Sequence, residues 1–338
     1  MKKASLVVSR PYQENRIFQV HDKSLNRDNC LAPFIQLKKE FREQGYDLST
    51  SDLNSIEDSD LVLYNDMPKE LPLKGHREKS YLLILESPLI VKNSWSPDRL
   101  EAFKKIFSWN DDITDDIKFY KVNYSFELPQ EISIDETRSK LCCLISANKR
   151  SQEVNELYTE RIISIKWFEK NAPQDFDLFG IGWDMPPKTH FFSKVMHFLL
   201  KKLQFLRFLY RGATYPSYKG MVDSKVEVLA GYDFSICYEN IKDLNGYITE
   251  KIFDSFFAGC IPIYWGAKNI KDYIPEHCFI DRRDFSSMND LYDFLSRLSG
   301  EEKKKYRENI SNFLKGESVK AFDASHFAKT ITKEMLSE

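Results

Sequence analysis

The chain has 338 residues, 42% hydrophobic and 30% charged, which suits a globular protein of two domains rather than one core. Its 49 basic and 51 acidic side chains leave a net charge of −2, which argues against a general nucleic-acid binder. None of the six cysteines lies in a CxxC pair or has zinc spacing, so reduced thiols in a cytoplasmic protein are expected. The opening MKKASLVVSRPYQEN holds only a short apolar run, and no span reaches transmembrane length.

Ser5 to Ser9 reads as a first strand, and Asn29 to Gly45 as a helix with Leu31, Phe34, Ile35, Leu37 and Phe41 on one face. Leu61 to Tyr64 and Ser80 to Leu85 are short apolar runs bounded by turns. This alternation predicts a first α/β domain over 1–127. Glu86 follows the run YLLIL and precedes Ser87-Pro88, so its carboxylate is placed at the end of a buried strand. Asp111-Asp112 and Asp115-Asp116 resemble a metal-binding pair, but they follow Trp109 in a polar turn. We read them as a solvated loop and expect no metal.

The polar stretch 128–140 is a plausible linker to a second α/β domain over 141–315, followed by a helical tail over 316–338. Leu141 to Ser146 reads as a strand, Gln152 to Asn171 as a helix and Asp177 to Ile181 as a strand. The following glycines permit close backbone approach to a ligand. The segment 190–211, HFFSKVMHFLLKKLQFLRFLYR, combines helical apolar spacing with five basic and no acidic residues. It is either a membrane-surface helix that docks on anionic lipid or a helix packed on the second domain as a lid.

Tyr232 to Tyr238 and Cys260 to Trp265 are apolar without alternation, as strands buried on both faces should be. Between them Thr249 is a candidate cap for a helix opened by Glu250 and Lys251. Ile252, Phe253, Phe256 and Phe257 are its buried face, and Gly259 its stop. Strands joined by a helical crossover are parallel, and ligands bind at their carboxyl ends beside the helix N-termini. Such an end attracts an anion, and Lys251 adds a full charge. A sugar nucleotide, with its diphosphate between hydroxyl-bearing groups, fits that chemistry.

Tyr238-Glu239-Asn240, Tyr247-Ile248-Thr249-Glu250-Lys251 and Ile261-Pro262-Ile263-Tyr264-Trp265-Gly266 together resemble the signature of the α1,3/4-fucosyltransferases. Tyr238 stands where that family more often has Phe. The likeness is specific over about forty residues, weaker from Tyr81 to Phe285, and poor before that. The resemblance implies a GT-B-like α/β fold, two Rossmann-like domains facing across a cleft. It implies an inverting, metal-independent enzyme of the soluble bacterial type, with GDP-fucose as donor substrate and no cofactor. L-fucose would pass to a hydroxyl, O3 of N-acetylglucosamine or glucose, of a lipopolysaccharide-like surface glycan or lipid-linked oligosaccharide. The location implied is the cytoplasm, with peripheral contact at the inner membrane if 190–211 docks there.

The resemblance makes Glu86 the general base, and Glu250 and Lys251 parts of the catalytic centre. Arg161, Asn240, Tyr247, Glu250 and Lys251 become donor-binding residues. For the diphosphate, Lys149 or Arg150 are alternatives to Arg161, whose bidentate guanidinium suits the role. Lys219, Tyr232 and Ser235 would frame the pocket. Two other functions stay open: a different nucleotide sugar on the same scaffold, and a non-catalytic glycan-binding protein.

Overall fold

The computed structural model describes residues 1–134, 138–185, 198, 199, 202 and 214–337. These form two six-stranded sheets, and every strand pairing within them is parallel. The first sheet holds β1 (Lys2–Val7), β2 (Tyr46–Thr50), β3 (Leu61–Asn65), β4 (Ser80–Ile84), β5 (Lys105–Ser108) and β6 (Phe119–Lys121), in spatial order β2-β1-β3-β4-β5-β6. The second holds β7 (Lys140–Ile145), β8 (Phe176–Phe179), β9 (Tyr218–Gly220), β10 (Tyr232–Tyr238), β11 (Ile261–Trp265) and β12 (Ile280–Asp281), in order β12-β11-β10-β7-β8-β9. All seven residues of β10 are buried, which is why its sequence does not alternate.

The helices are α1 (Ala32–Glu43), the single turn α2 (Pro97–Leu100), α3 (Tyr158–Asn171), the short α4 (Lys225–Leu229), α5 (Glu250–Phe257), α6 (Met288–Arg297), α7 (Gly300–Lys315) and α8 (Ala324–Leu336). Phe34, Leu37 and Phe41 of α1 pack with Leu6, Leu63 and Tyr81 in the core of the first sheet. Phe327, Ile331 and Met335 of α8 join that same core. The chain therefore ends by crossing back to its first sheet, with Phe327 edge-on to Phe34 at 6.3 Å. The tail expected over 316–338 is thus shared: α8 belongs to the first domain's core, whereas Val319 and Phe322 pack with Phe253 and Phe256 in the second.

α3 begins at Tyr158 rather than at Gln152. The residues before it are drawn out by the loop after β10: Glu156 bridges Ile241, and the Lys242 N–H donates to the Asn155 carbonyl at 2.9 Å. The expected basic helix at 190–211 lies, apart from Phe198, Leu199 and Lys202, outside the described residues. Among the described residues no helix is long and apolar enough to cross a membrane.

The acidic turn after Trp109 corrects the expectation of a solvated loop at one position: Asp112, Asp115 and Asp116 are exposed, but Asp111 is partly buried. Asp111 is not a solvated side chain but a fastener between the two halves. It accepts from Lys121 Nζ at 2.5 Å, Tyr273 Oη at 2.6 Å and Asn269 Nδ2 at 2.8 Å. Burial would raise its carboxyl, yet these bonds hold it below the ordinary value. Asp112 accepts from Asn245 at 2.8 Å, and Asp115 turns its carboxylate onto the backbone N–H groups of Ile117, Lys118 and Phe119. Asn245, Asn269 and Tyr273 lie far along the chain, so no local pattern announces these contacts. Gly246 belongs to the same contact: its φ is +80°, and a Cβ there would stand 2.2 Å from the Trp109 carbonyl oxygen. Trp109 packs on Tyr247 at 4.7 Å, seating the loop of the second sheet on the first domain.

Candidate active site

The carboxyl ends of the two sheets frame two neighbouring cavities of about 1000 and 610 Å³. Glu86, Tyr124, Lys225, Glu250 and Asp254 belong to the walls of both. The larger is lined chiefly by the first domain. The smaller is lined by Ser146, Lys149, Arg161, Asn240, Tyr247 and Lys251 among others. The structure thus brings Glu86, Arg161, Asn240, Tyr247, Glu250 and Lys251 together, with Glu86 facing the second domain from the end of β4.

Burial raises the Glu86 carboxyl, and the negative charges of Asp66 and Glu250 push the same way; Lys251 and Lys149 oppose them. A carboxylate in such a place is a stronger base than one in water.

The α5 N-terminus is built differently from the expected cap. The Thr249 side chain makes no capping bond; its Oγ donates to Glu239 Oε2 at 2.7 Å, and its N–H donates to Glu239 Oε1 at 2.8 Å. The charged, buried Glu239 carboxylate takes the hydroxyl proton, and the Thr249 oxygen accepts from the Lys251 ammonium instead of a helix N–H. Glu239 has no exposed surface. It also pairs with Lys251 Nζ at 3.2 Å, while that ammonium donates to Thr249 Oγ at 2.9 Å and lies 3.3 Å from Glu250. Burial alone would lower Lys251, but Glu239 and Glu250 carry it well above its usual range, so it stays charged. For Glu250, burial works upward, and the charges of Lys251 and Lys225 outweigh it and hold the carboxylate ionised. Glu239 and Lys225 escaped the sequence reading as site residues. The one available signal, for Glu239, was a carboxylate directly after a strand buried along its whole length and apolar at most positions.

Arg161, in the first turn of α3, is buried. Its Nη2 donates to the carbonyls of Tyr238 at 2.6 Å and Glu239 at 2.8 Å, and to Asn240 Oδ1 at 3.2 Å. Its Nε is buried without an acceptor among the described residues, a donor left for a ligand or water. Arg161 therefore holds the backbone after β10 and also lines the smaller cavity. Of the alternatives, Arg150 is engaged by Asn148 at 2.6 Å and Tyr215 at 3.0 Å, whereas Lys149 lines the cavity. Ser235 lines it too. Lys219 and Tyr232 do not: both turn to Asp177, at 3.3 and 2.7 Å. Tyr247 is almost wholly buried between Trp109 and Tyr124, so it shapes the wall as a rigid ring.

This arrangement can bind a diphosphate at the Lys251 and Arg161 side, hold hydroxyls with Glu250 and Asn240, and accept a proton at Glu86. Among the described residues no group of three or more His, Cys, Asp and Glu could hold a metal ion.

Residues 196–325 match the C-terminal model of glycosyltransferase family 10 (fucosyltransferase). An alpha-(1,3)-fucosyltransferase of Helicobacter pylori is 40% identical over 78 residues, 23% of this chain and 16% of that protein. An alpha-(1,4)-fucosyltransferase of Arabidopsis thaliana is 38% identical over 80 residues, 24% of this chain and 20% of that protein. The chain thus spans a fifth or less of the length of these two relatives. A crystal structure of an alpha1,3-fucosyltransferase with GDP superposes with a TM-score of 0.60 at 14% identity, over 100% of this chain and 91% of the other. A DNA-modifying beta-glucosyltransferase gives a TM-score of 0.58 at 13% identity, over 99% of both chains. These two likenesses show the fold: the two-sheet GT-B architecture.

Proposed function

We propose that the chain is an inverting fucosyltransferase with GDP-fucose as donor, a reading supported by the match of residues 196–325 to the C-terminal model of glycosyltransferase family 10 (fucosyltransferase). The observation that carries this reading is Glu86 and Glu250 in the walls of both cavities, with Lys251 beside Glu250 in the wall of the smaller one. The donor occupies the smaller cavity, and an oligosaccharide or lipid-linked glycan of a bacterial surface polymer enters the larger. An acceptor hydroxyl, O3 of N-acetylglucosamine or glucose, attacks the anomeric carbon of fucose while its proton passes to Glu86. The bond from that carbon to the β-phosphate oxygen breaks with its electron pair on GDP. Lys251, with Arg161, stabilises the charge that grows on the diphosphate. Attack opposite the leaving group turns the β-linked donor into an α-fucoside.

Glu86→Gln is the direct test. The change is nearly isosteric, so GDP affinity measured by calorimetry should hold while turnover falls roughly 10²–10⁴-fold. If GDP affinity falls as far as turnover, Glu86 belongs to the donor site and the base lies elsewhere.

A further inference from the structure

Parallel β3 and β4 are paired so that Asn65 lies beside Leu83. The residue after β3 therefore lies beside the turn that carries Glu86. That residue is Asp66, in the left-handed region at φ 60°. Its N–H donates to the Leu83 carbonyl at 2.7 Å. Its Oδ1 accepts from the N–H groups of both Leu85 and Glu86, each at 2.9 Å. The side chain also lines the larger cavity.

We propose that Asp66 is a positioning residue for Glu86: its carboxylate anchors the peptide bonds on which Glu86 stands, and its charge acts on the Glu86 carboxylate across that turn. The proposal rests on the reading of Glu86 as the base. Other elements also bring titratable groups toward Glu86. Glu250 and Lys251 come from α5 and its N-terminus, and Lys149 from the loop after β7. Tyr12, Tyr124, Tyr158 and Tyr247 also feel its charge. Of the charges acting on Glu86, that of Asp66 is the largest, and it adds to burial in raising the Glu86 carboxyl. Burial raises Asp66 as well, against the lowering by its two backbone bonds. Two neighbouring carboxylates in a poorly solvated place make each other more basic. A base needs its deprotonated form, so the acid limb of kcat/KM follows the raised Glu86 value.

Asp66→Asn keeps an oxygen for the two N–H groups, tolerates the left-handed backbone and removes the charge. In this variant the acid limb of kcat/KM should move to lower pH, with GDP affinity unchanged. kcat should fall by less than the ~10²-fold minimum set by Glu86→Gln. The Glu86 carboxyl signal in a carbon-13 titration, assigned by its loss in Glu86→Gln, should move in the same direction without reference to activity. Asp66→Gly adopts the same backbone but loses the anchor too, and it should show the same shift with a further loss of kcat. A Glu86 titration unmoved in Asp66→Asn would overturn the proposal and leave Asp66 a turn residue only. Wild-type turnover in Glu86→Gln would instead overturn the reading of the base, and the titration shift would still report whether Asp66 acts on Glu86.

Discussion

Lys251→Met separates the two tasks this lysine performs. Lys251 is the only cation in salt-bridge range of Glu239 among the described residues, and Glu239 is fully buried. Removing one partner of a buried pair costs about 3–5 kcal/mol, because the other charge is left unbalanced. Glu239 keeps the Thr249 N–H at 2.8 Å and hydroxyl at 2.7 Å, so we expect the low end, about 3 kcal/mol. Independently, loss of one transition-state contact to the departing diphosphate should lower kcat by about 10²–10³-fold. The double variant Lys251→Met with Glu239→Gln removes the stranded charge, and the Gln oxygen still accepts the Thr249 N–H. Urea unfolding should therefore show most of the lost stability restored, with a coupling energy well above the ~0.5 kcal/mol scatter of independent sites. Turnover should stay low. A double variant that regained turnover along with stability would refute the diphosphate role, because Lys251 would then matter only as the counter-charge of Glu239.

Asp254 gives a pH prediction. Burial, with help from Glu250, pushes its carboxyl up to about 6, against Lys225 at 2.6 Å. The folded value lies above the unfolded one, so the folded state binds the proton more tightly. This contribution to stability is complete below about pH 4 and lost as pH rises through about 6. Asp254→Asn should flatten that part of the curve of urea midpoint against pH; an unchanged curve would mean Asp254 titrates normally. Turnover should also persist in excess EDTA, since Lys251 and Arg161 meet the diphosphate charge. Activity lost to EDTA and regained with Mn²⁺ or Mg²⁺ would show that a metal does that work.

The parts of this molecule legible in the sequence are those whose physics is local. β10, α5 and β11 could be read because parallel strands buried on both faces are largely apolar runs without alternation, and Ile252, Phe253 and Phe256 repeat at helical spacing. Glu86 was found because a charge directly after such a run must lie at a strand end. What escaped depends on which distant segment arrives. The apolar face of α8 is visible in Phe327, Ile331 and Met335, but nothing in those residues says that they cover the first sheet rather than the second. Asp111 is a fastener only because Asn269 and Tyr273 come to it from the other half of the chain.

Asp66 and Glu239 are a different case, because the rule that found Glu86 applies to them as well. Each is an acidic residue following an apolar strand: Asp66 after β3, Glu239 after β10. In a parallel sheet all such ends lie on one edge, the edge where ligands bind. A carboxylate there is either solvated or held by nearby N–H groups and cations, and the pairs at Leu85 and Glu86 and at Thr249 and Lys251 are of the second kind. Sequence reasoning weighed Glu86 alone because the resemblance assigned it a role. Applied evenly to every strand end, the same argument would have flagged all three carboxylates. It could not have told which one faces open cavity and which is sealed: that depends on where the Thr249 hydroxyl and the Lys251 ammonium settle once α5 has packed.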